Sequence, residues 1–251
     1  MKILTDLPYT DPLRHHGCFD LYLPDGGTGR TLVIFFYGGG LTQGEKSDLK
    51  SLGREMTDAG FCLAAPDYRY YPEVDYPAFI DDAAQAVDYL TAHVREYADI
   101  ADIFIGGCSA GAYLSMMLCF DKRYLQKYGR DPDDYSGFLF ISGQPTAHYE
   151  VLARHGHDPR QIVVDETAPV YHVRSSGPPL LICTDTEWVN REEQNALLAG
   201  TLRHYAYSAP VVFRVLDVPH CRLLDAKPGC KSLGFAEMET FIRTVKGGSP
   251  A

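Results

Sequence analysis

The sequence has no long apolar run, no paired cysteines and no surplus of positive charge, and each absence removes a class of protein. The opening stretch, Met1 to Asp6, already holds Lys2 and Asp6. A secretory leader or a membrane span needs an uninterrupted apolar segment, and none is visible. The expectation is a cytoplasmic chain with no membrane partner. The seven cysteines (Cys18, Cys62, Cys108, Cys119, Cys183, Cys221 and Cys230) are scattered singly, odd in number and without a C-x-x-C. Several sit in apolar runs, where cysteine packs as a small hydrophobe. That disfavours a disulfide framework and structural zinc, and favours a reducing compartment. Lys and Arg total 23 against 33 Asp and Glu, a net charge of −10, which argues against nucleic acid and anionic lipid as partners. G-x-G-x-x-G and H-E-x-x-H are both missing. His148, His155, His157 and His172 cluster without any metal-binding spacing, so neither a metal nor a cofactor is expected. There is no internal repeat and no low-complexity linker. The 251 residues, 45% hydrophobic and 22% charged, read as one domain spanning 1–251.

What is present is an alternation of strand-like and helix-like segments. Residues 18–23 alternate apolar and polar side chains and stop at Pro24-Asp25-Gly26-Gly27, which reads as a strand and turn. Residues 31–36 are continuously apolar, β-branched or aromatic, as a strand buried on both faces requires. Further strands are expected at 61–65, from 103 to the glycines at 106–107, and at 138–142, 180–184 and 211–216. Helices are expected at 47–59, 77–97, 112–118, 191–204 and 236–245. Residues 1–16 suit an edge strand and turn, and 121–135 an irregular stretch with a short helix. The fold class is therefore α/β, a mostly parallel central sheet with helices on both faces. Residues 144–176 are too long and irregular for a plain connection. They are expected to form a small cap insertion, with Tyr149, Val151 and Leu152 touching substrate.

The chemistry centres on Gly107-Cys108-Ser109-Ala110-Gly111, a G-x-S-x-G pattern set between a strand and a helix. That is the context of a nucleophile elbow, a sharp turn that holds one serine above the sheet. Glycines at both ends let strand and helix approach closely. Ser109 is the candidate nucleophile, and the Ala110 N–H at the helix start is a candidate oxyanion donor. Cys108, beside it, is turned away from the apex and is read as packing at the site's edge. Tyr37-Gly38-Gly39-Gly40 follows a buried strand and supplies Gly39 and Gly40 as further donors. A serine hydroxyl needs a base, and His220 lies just past the last expected strand. Asp185 and Glu187 both follow the strand ending at Thr184, and either could orient the imidazole. Asp185 is nearer the strand, whereas Glu187 has the longer reach.

With these residues assembled, the chain resembles the α/β-hydrolase family, and within it the carboxylesterases of the hormone-sensitive-lipase and feruloyl/acetyl-esterase-like branch. Phe36-Tyr37-Gly38-Gly39-Gly40 is similar to that branch's H-G-G-G oxyanion motif, with Tyr37 in place of the histidine. Asp67-Tyr68-Arg69, Pro72-Glu73 and Tyr76-Pro77-Ala78 resemble its D-Y-R-x-x-P-E…P-A segment, and 107–111 its G-D-S-A-G elbow. In Thr184-Asp185-Thr186-Glu187-Trp188, Glu187 stands where the family's G-D-x-D-W places the catalytic aspartate. The resemblance therefore favours Glu187 as the acid over Asp185. It implies a serine esterase acting on small carboxylic esters through an acyl-enzyme, with acylated sugars as plausible substrates. Tyr37, Cys108, Trp188 and Tyr149 are expected to line the substrate. Two other readings stand beside it: an arylformamidase-like amidase, and a non-catalytic hydrolase-fold binding protein.

Overall fold

A computed structural model describes residues 1–10, 16–187, 191–226 and 230–247. Eight strands form one sheet: β1 (Lys2–Pro8), β2 (Cys18–Leu23), β3 (Arg30–Phe36), β4 (Cys62–Pro66), β5 (Ile100–Cys108), β6 (Gly137–Ile141), β7 (Leu180–Asp185) and β8 (Val211–Leu216). Their spatial order is β1-β2-β4-β3-β5-β6-β7-β8. The first two strands run antiparallel to their neighbours, and every pairing from β4 to β8 is parallel. The parallel strands are joined through α1 (Lys50–Asp58), α2 (Ala78–His93), α3 (Ala110–Phe120), α4 (Arg123–Gln126), α5 (Tyr149–Arg154) and α6 (Arg191–His204), and α7 (Leu233–Val245) follows β8.

The helices cover both faces, and β5 shows why. Successive side chains of a strand point to opposite faces, so Phe104 and Gly107 look in opposite directions. Phe104 meets the ring of Phe241 in α7, centroids 6.5 Å apart. A Cβ on Gly107 would instead fall 2.2 Å from the Gly111 backbone in α3. α1 packs with α7, and α2 packs with α3. Central strands buried this way carry no polar alternation: residues 32–36 of β3 are all fully buried, as a two-sided core requires.

Element boundaries move by a few residues for identifiable reasons. The segment expected as one helix over 47–59 begins as a 3₁₀ turn, Lys46–Leu49, before α1. The helix expected over 77–97 ends as a 3₁₀ turn after His93. α7 begins three residues before the expected 236 because Ser232 caps it, its hydroxyl accepting the Phe235 N–H at 3.4 Å, which supplies one of the acceptors a helix start lacks. The stretch 144–176 follows the C-terminal end of β6 and is tied to the body. Tyr113 in α3 donates to the Thr167 carbonyl at 2.7 Å, and Val170 N–H donates to the Pro145 carbonyl at 2.9 Å.

Candidate active site

Ser109 occupies the turn between β5 and α3 with φ 54° and ψ −116°, a conformation that costs a residue bearing a Cβ about 1–3 kcal/mol. The neighbouring glycines make it attainable. A Cβ on Gly107 would meet Gly111 carbonyl atoms at 2.2 Å, and one on Gly111 would meet the Phe36 carbonyl oxygen at 2.1 Å. Strand, helix and glycine loop are thus in backbone contact. Ser109 N–H donates to the Ile141 carbonyl at 2.8 Å, which holds the turn over the end of β6.

His220 stands in a 3₁₀ turn, His220–Arg222, just beyond β8. Its Nε2 lies 2.9 Å from Ser109 Oγ, and its Nδ1 lies 2.8 Å from Asp185 Oδ2. Residues 111 and 35 positions apart in the chain meet because β5, β7 and β8 end at the same edge of a parallel sheet, where ligands of such sheets bind. Asp185 is fully buried and His220 is 6% exposed.

The carboxylate facing the ring corrects an expectation. It belongs to Asp185, not Glu187. β7 continues through Asp185, which pairs with Leu216 of β8, so a short, rigid side chain already reaches the imidazole from the strand end. Glu187 lies two residues beyond the strand and is exposed. Its Oε2 accepts the His220 backbone N–H at 2.6 Å, and its own N–H donates to Asp185 Oδ1 at 3.1 Å. The longer acid fixes the main chain around the histidine and leaves the ring to the aspartate.

The glycine loop lies beside the elbow. A Cβ on Gly38 would be 3.2 Å from Ser109 Cβ. Gly39 and Gly40 take φ +120° and +65°, which favours glycine. Ala110 is the buried first residue of α3, where N–H groups have no acceptor within the helix. Tyr37 is a second correction: expected to line substrate, it is 1% exposed. Its ring stacks on Tyr68 at 4.5 Å. Tyr37 Oη donates to the Tyr68 carbonyl at 3.3 Å, and Tyr68 Oη donates to the Tyr37 carbonyl at 2.9 Å. Tyr37 therefore braces the loop from beneath. Val151 and Leu152 are likewise buried in the core rather than open to a ligand, because the apolar face of α5 turns inward. Tyr149 is half-buried, and a Cβ on Gly40 would fall 2.2 Å from its hydroxyl oxygen, which places it at the glycine loop. Cys108 is partly buried and packed on the core. Trp188 lies outside the described residues.

Residues 19–135 match the BD-FAE family. Probable isoprenylcysteine alpha-carbonyl methylesterase ICMEL1 of Arabidopsis thaliana is 33% identical over 98 residues, 38% of this chain and 21% of that protein. Carboxylic ester hydrolase LipN of Mycobacterium tuberculosis is 33% identical over 124 residues, 48% of this chain and 31% of that protein. The matched segment thus spans less than a third of these curated relatives. Among solved structures, a truncated carbohydrate esterase from gut microbiota superposes with a TM-score of 0.79 at 21% identity, covering 98% of this chain and 97% of that one. Thermogutta terrifontis esterase 2 phosphorylated by paraoxon superposes with a TM-score of 0.76 at 16% identity, covering 99% and 96%. The chain has the α/β-hydrolase fold. Its likeness falls in the hormone-sensitive-lipase-like carboxylesterase branch.

One buried charged group is not marked by the sequence. Arg191, the first residue of α6, is 5% exposed. Burial pulls its affinity for the proton down, while Asp185, Tyr149 and Cys108 act on it in the opposite sense. His148, also buried, has its pKa pushed down to about 3 by burial and then by the charge of Arg191, so it is neutral at physiological pH. Its Nδ1 accepts the Glu150 N–H at 3.2 Å and caps α5. Among the described residues, no group of His, Cys, Asp and Glu is placed to hold a metal ion. No described helix is long and apolar enough to cross a membrane.

Proposed function

We propose that the chain is a serine hydrolase of small carboxylic esters working through an acyl-enzyme. The observation that carries the reading is the relay from Asp185 through His220 to Ser109, at 2.8 and 2.9 Å, ending on a strained serine. His220 Nε2 accepts the Ser109 proton as Oγ attacks the ester carbonyl. Asp185 holds the Nδ1 proton, fixes the tautomer and stabilises the imidazolium. The N–H groups of Gly39, Gly40 and Ala110 receive the oxyanion. The imidazolium then protonates the leaving alcohol, and an acyl-serine remains. Water, deprotonated by His220, attacks that acyl group. Collapse of the second tetrahedral adduct returns the proton to Ser109 Oγ and frees the acid. Atoms and charge balance with no cofactor.

In this reading residues 1–251 form one domain, and 144–176 cap the site with Tyr149 at the glycine loop. Acylated sugars are a substrate class to test, since the gut-microbiota structural neighbour is described as a carbohydrate esterase. Paraoxon, the agent bound in the Thermogutta neighbour, should add a diethylphosphoryl group to Ser109 in stoichiometric yield, and Ser109→Ala should abolish both labelling and turnover of ethyl butyrate. A native chain that neither labels nor turns over any ester in a panel of graded acyl length and alcohol bulk would leave a hydrolase fold without this activity.

A further inference from the structure

Three glycines in a row carry no side chain to hold their own amides in place, and glycine has the most backbone freedom to lose. The stack of Tyr37 on Tyr68 fixes the entry to the loop. The part that bears the donors, Gly39 and Gly40, is met from another segment, by Tyr149. A Cβ on Gly40 would fall 2.2 Å from the Tyr149 hydroxyl oxygen and 3.4 Å from its ring carbon Cζ. The hydroxyl, and not the ring, therefore takes the space that a side chain on residue 40 would fill.

The ring behind that hydroxyl is fixed in turn. It stacks on His148, centroids 4.5 Å apart and planes 29° apart. His148 lies 5.2 Å from the ring of Tyr113, and both are buried. Tyr113 belongs to α3: its N–H donates to the Ser109 carbonyl at 3.1 Å, and its hydroxyl donates to the Thr167 carbonyl at 2.7 Å. Three rings thus run from the first turn of the nucleophile helix to the glycine loop. The far end of α5 reaches the next residue of that loop through Tyr71. The Arg154 guanidinium carbon lies 4.9 Å from the Tyr71 ring centre, and Tyr71 N–H donates to the Leu41 carbonyl at 2.9 Å. An oxyanion donor works only within about 2.7–3.1 Å of the place the oxyanion takes, so the span from Ser109 to the loop amides must be held closely. We propose that Tyr149 is a positioning residue for the oxyanion loop: the column Tyr113–His148–Tyr149 sets the distance between the nucleophile and the amides of Gly39 and Gly40. The proposal rests on the ester-hydrolase reading and names a residue that acts through the loop.

Tyr149→Phe keeps the stack and withdraws only the atom that meets Gly40. Its kcat on ethyl butyrate should fall about tenfold or more while KM stays within about twofold. Trifluoromethyl propyl ketone reads the loop directly. Ser109 Oγ adds to its carbonyl carbon, the serine proton passes to His220, and the carbonyl oxygen becomes the oxyanion. Its inhibition constant should rise by the factor that kcat/KM falls, whereas inhibition by butyrate, which forms no adduct, should not change. A mere loss of folded enzyme would lower kcat and leave both inhibition constants where they were. Gly40→Ala in both backgrounds gives the second readout. In the native chain the new methyl collides with the hydroxyl at 2.2 Å, but with Tyr149→Phe it meets the ring carbon at 3.4 Å, close to ordinary contact, and refills the space. The backbone strain at residue 40 is the same in both. The double variant should therefore turn over ethyl butyrate at least about threefold faster than Gly40→Ala alone. A hydroxyl acting on substrate itself could not be replaced by that methyl. A Tyr149→Phe variant with wild-type kcat and ketone affinity, or a double variant no faster than Gly40→Ala, would overturn the proposal. Should Gly40→Ala fold in neither background, the kinetics and ketone affinity of Tyr149→Phe decide alone. Equal turnover by wild type and Tyr149→Phe defeats only the role of Tyr149. A wild-type chain that cleaves no ester defeats the esterase reading and this proposal together.

Discussion

Two acids two residues apart do different work here, and chain length decides which does what. Asp185, on the last position of β7, has one methylene and one direction to point, and that direction meets the His220 ring. Glu187 has the reach to fold back on the His220 main chain. Asp185→Asn should therefore lower kcat on ethyl butyrate roughly 10³- to 10⁴-fold, the scale seen when a triad aspartate loses its charge and the wrong tautomer is held. Glu187→Gln keeps an acceptor for the same N–H and should cost less than about tenfold, since a neutral hydrogen bond replaces a charged one. Equal losses in the two variants, measured by steady-state kinetics, would contradict this division. Residue types and chain order made Ser109, His220 and the pair of acids legible in the sequence. The choice between the acids was not legible, because it turns on where β7 ends and hence which side chain is aimed. The burial of Arg191 was invisible for a similar reason: it depends on how the start of α6 packs on the rest of the fold.

Among the elements, the elbow and α5 show opposite degrees of legibility. Glycine spacing announced the elbow, and the contacts it implied exist: Gly111 allows the Phe36 carbonyl to approach where any Cβ would collide at 2.1 Å. Gly111→Ala should then destabilise the chain by about 3 kcal/mol or more, since backbone rather than a flexible side chain must yield. A midpoint in urea within error of wild type would contradict the packing described. α5 was hidden inside a stretch read as irregular, because a helix of six residues carries too little periodicity to register. It depends on its cap. His148 is held neutral, with its pKa near 3 against 6.5 for the free side chain. The unfolded chain therefore binds a proton below pH 6.5 that the folded chain refuses. Stability from this group is complete above pH 6.5 and is lost as pH falls toward 3, by about 2 kcal/mol between pH 7 and pH 5. His148→Asn retains a capping acceptor without the titration, so its unfolding free energy should fall less over that interval than the wild-type value. Parallel slopes would show that His148 titrates normally.

At the scale of the whole molecule, the charge that spoke against nucleic acid also bears on the ester. The net charge of −10 makes the far field of the chain repulsive to an anionic ester and indifferent to a neutral one. At about 0.01 M salt the screening length is ~30 Å and an incoming carboxylate feels most of the chain, whereas at 0.15 M it is ~8 Å and only neighbouring charges count. Raising the ionic strength over that interval should accordingly increase kcat/KM for monoethyl succinate by about two- to threefold and leave ethyl butyrate unchanged. A rate that instead falls with salt would mean that a positive patch governs the encounter, and the sign of the field at the mouth of the site would then have to come from side chains other than the acidic majority.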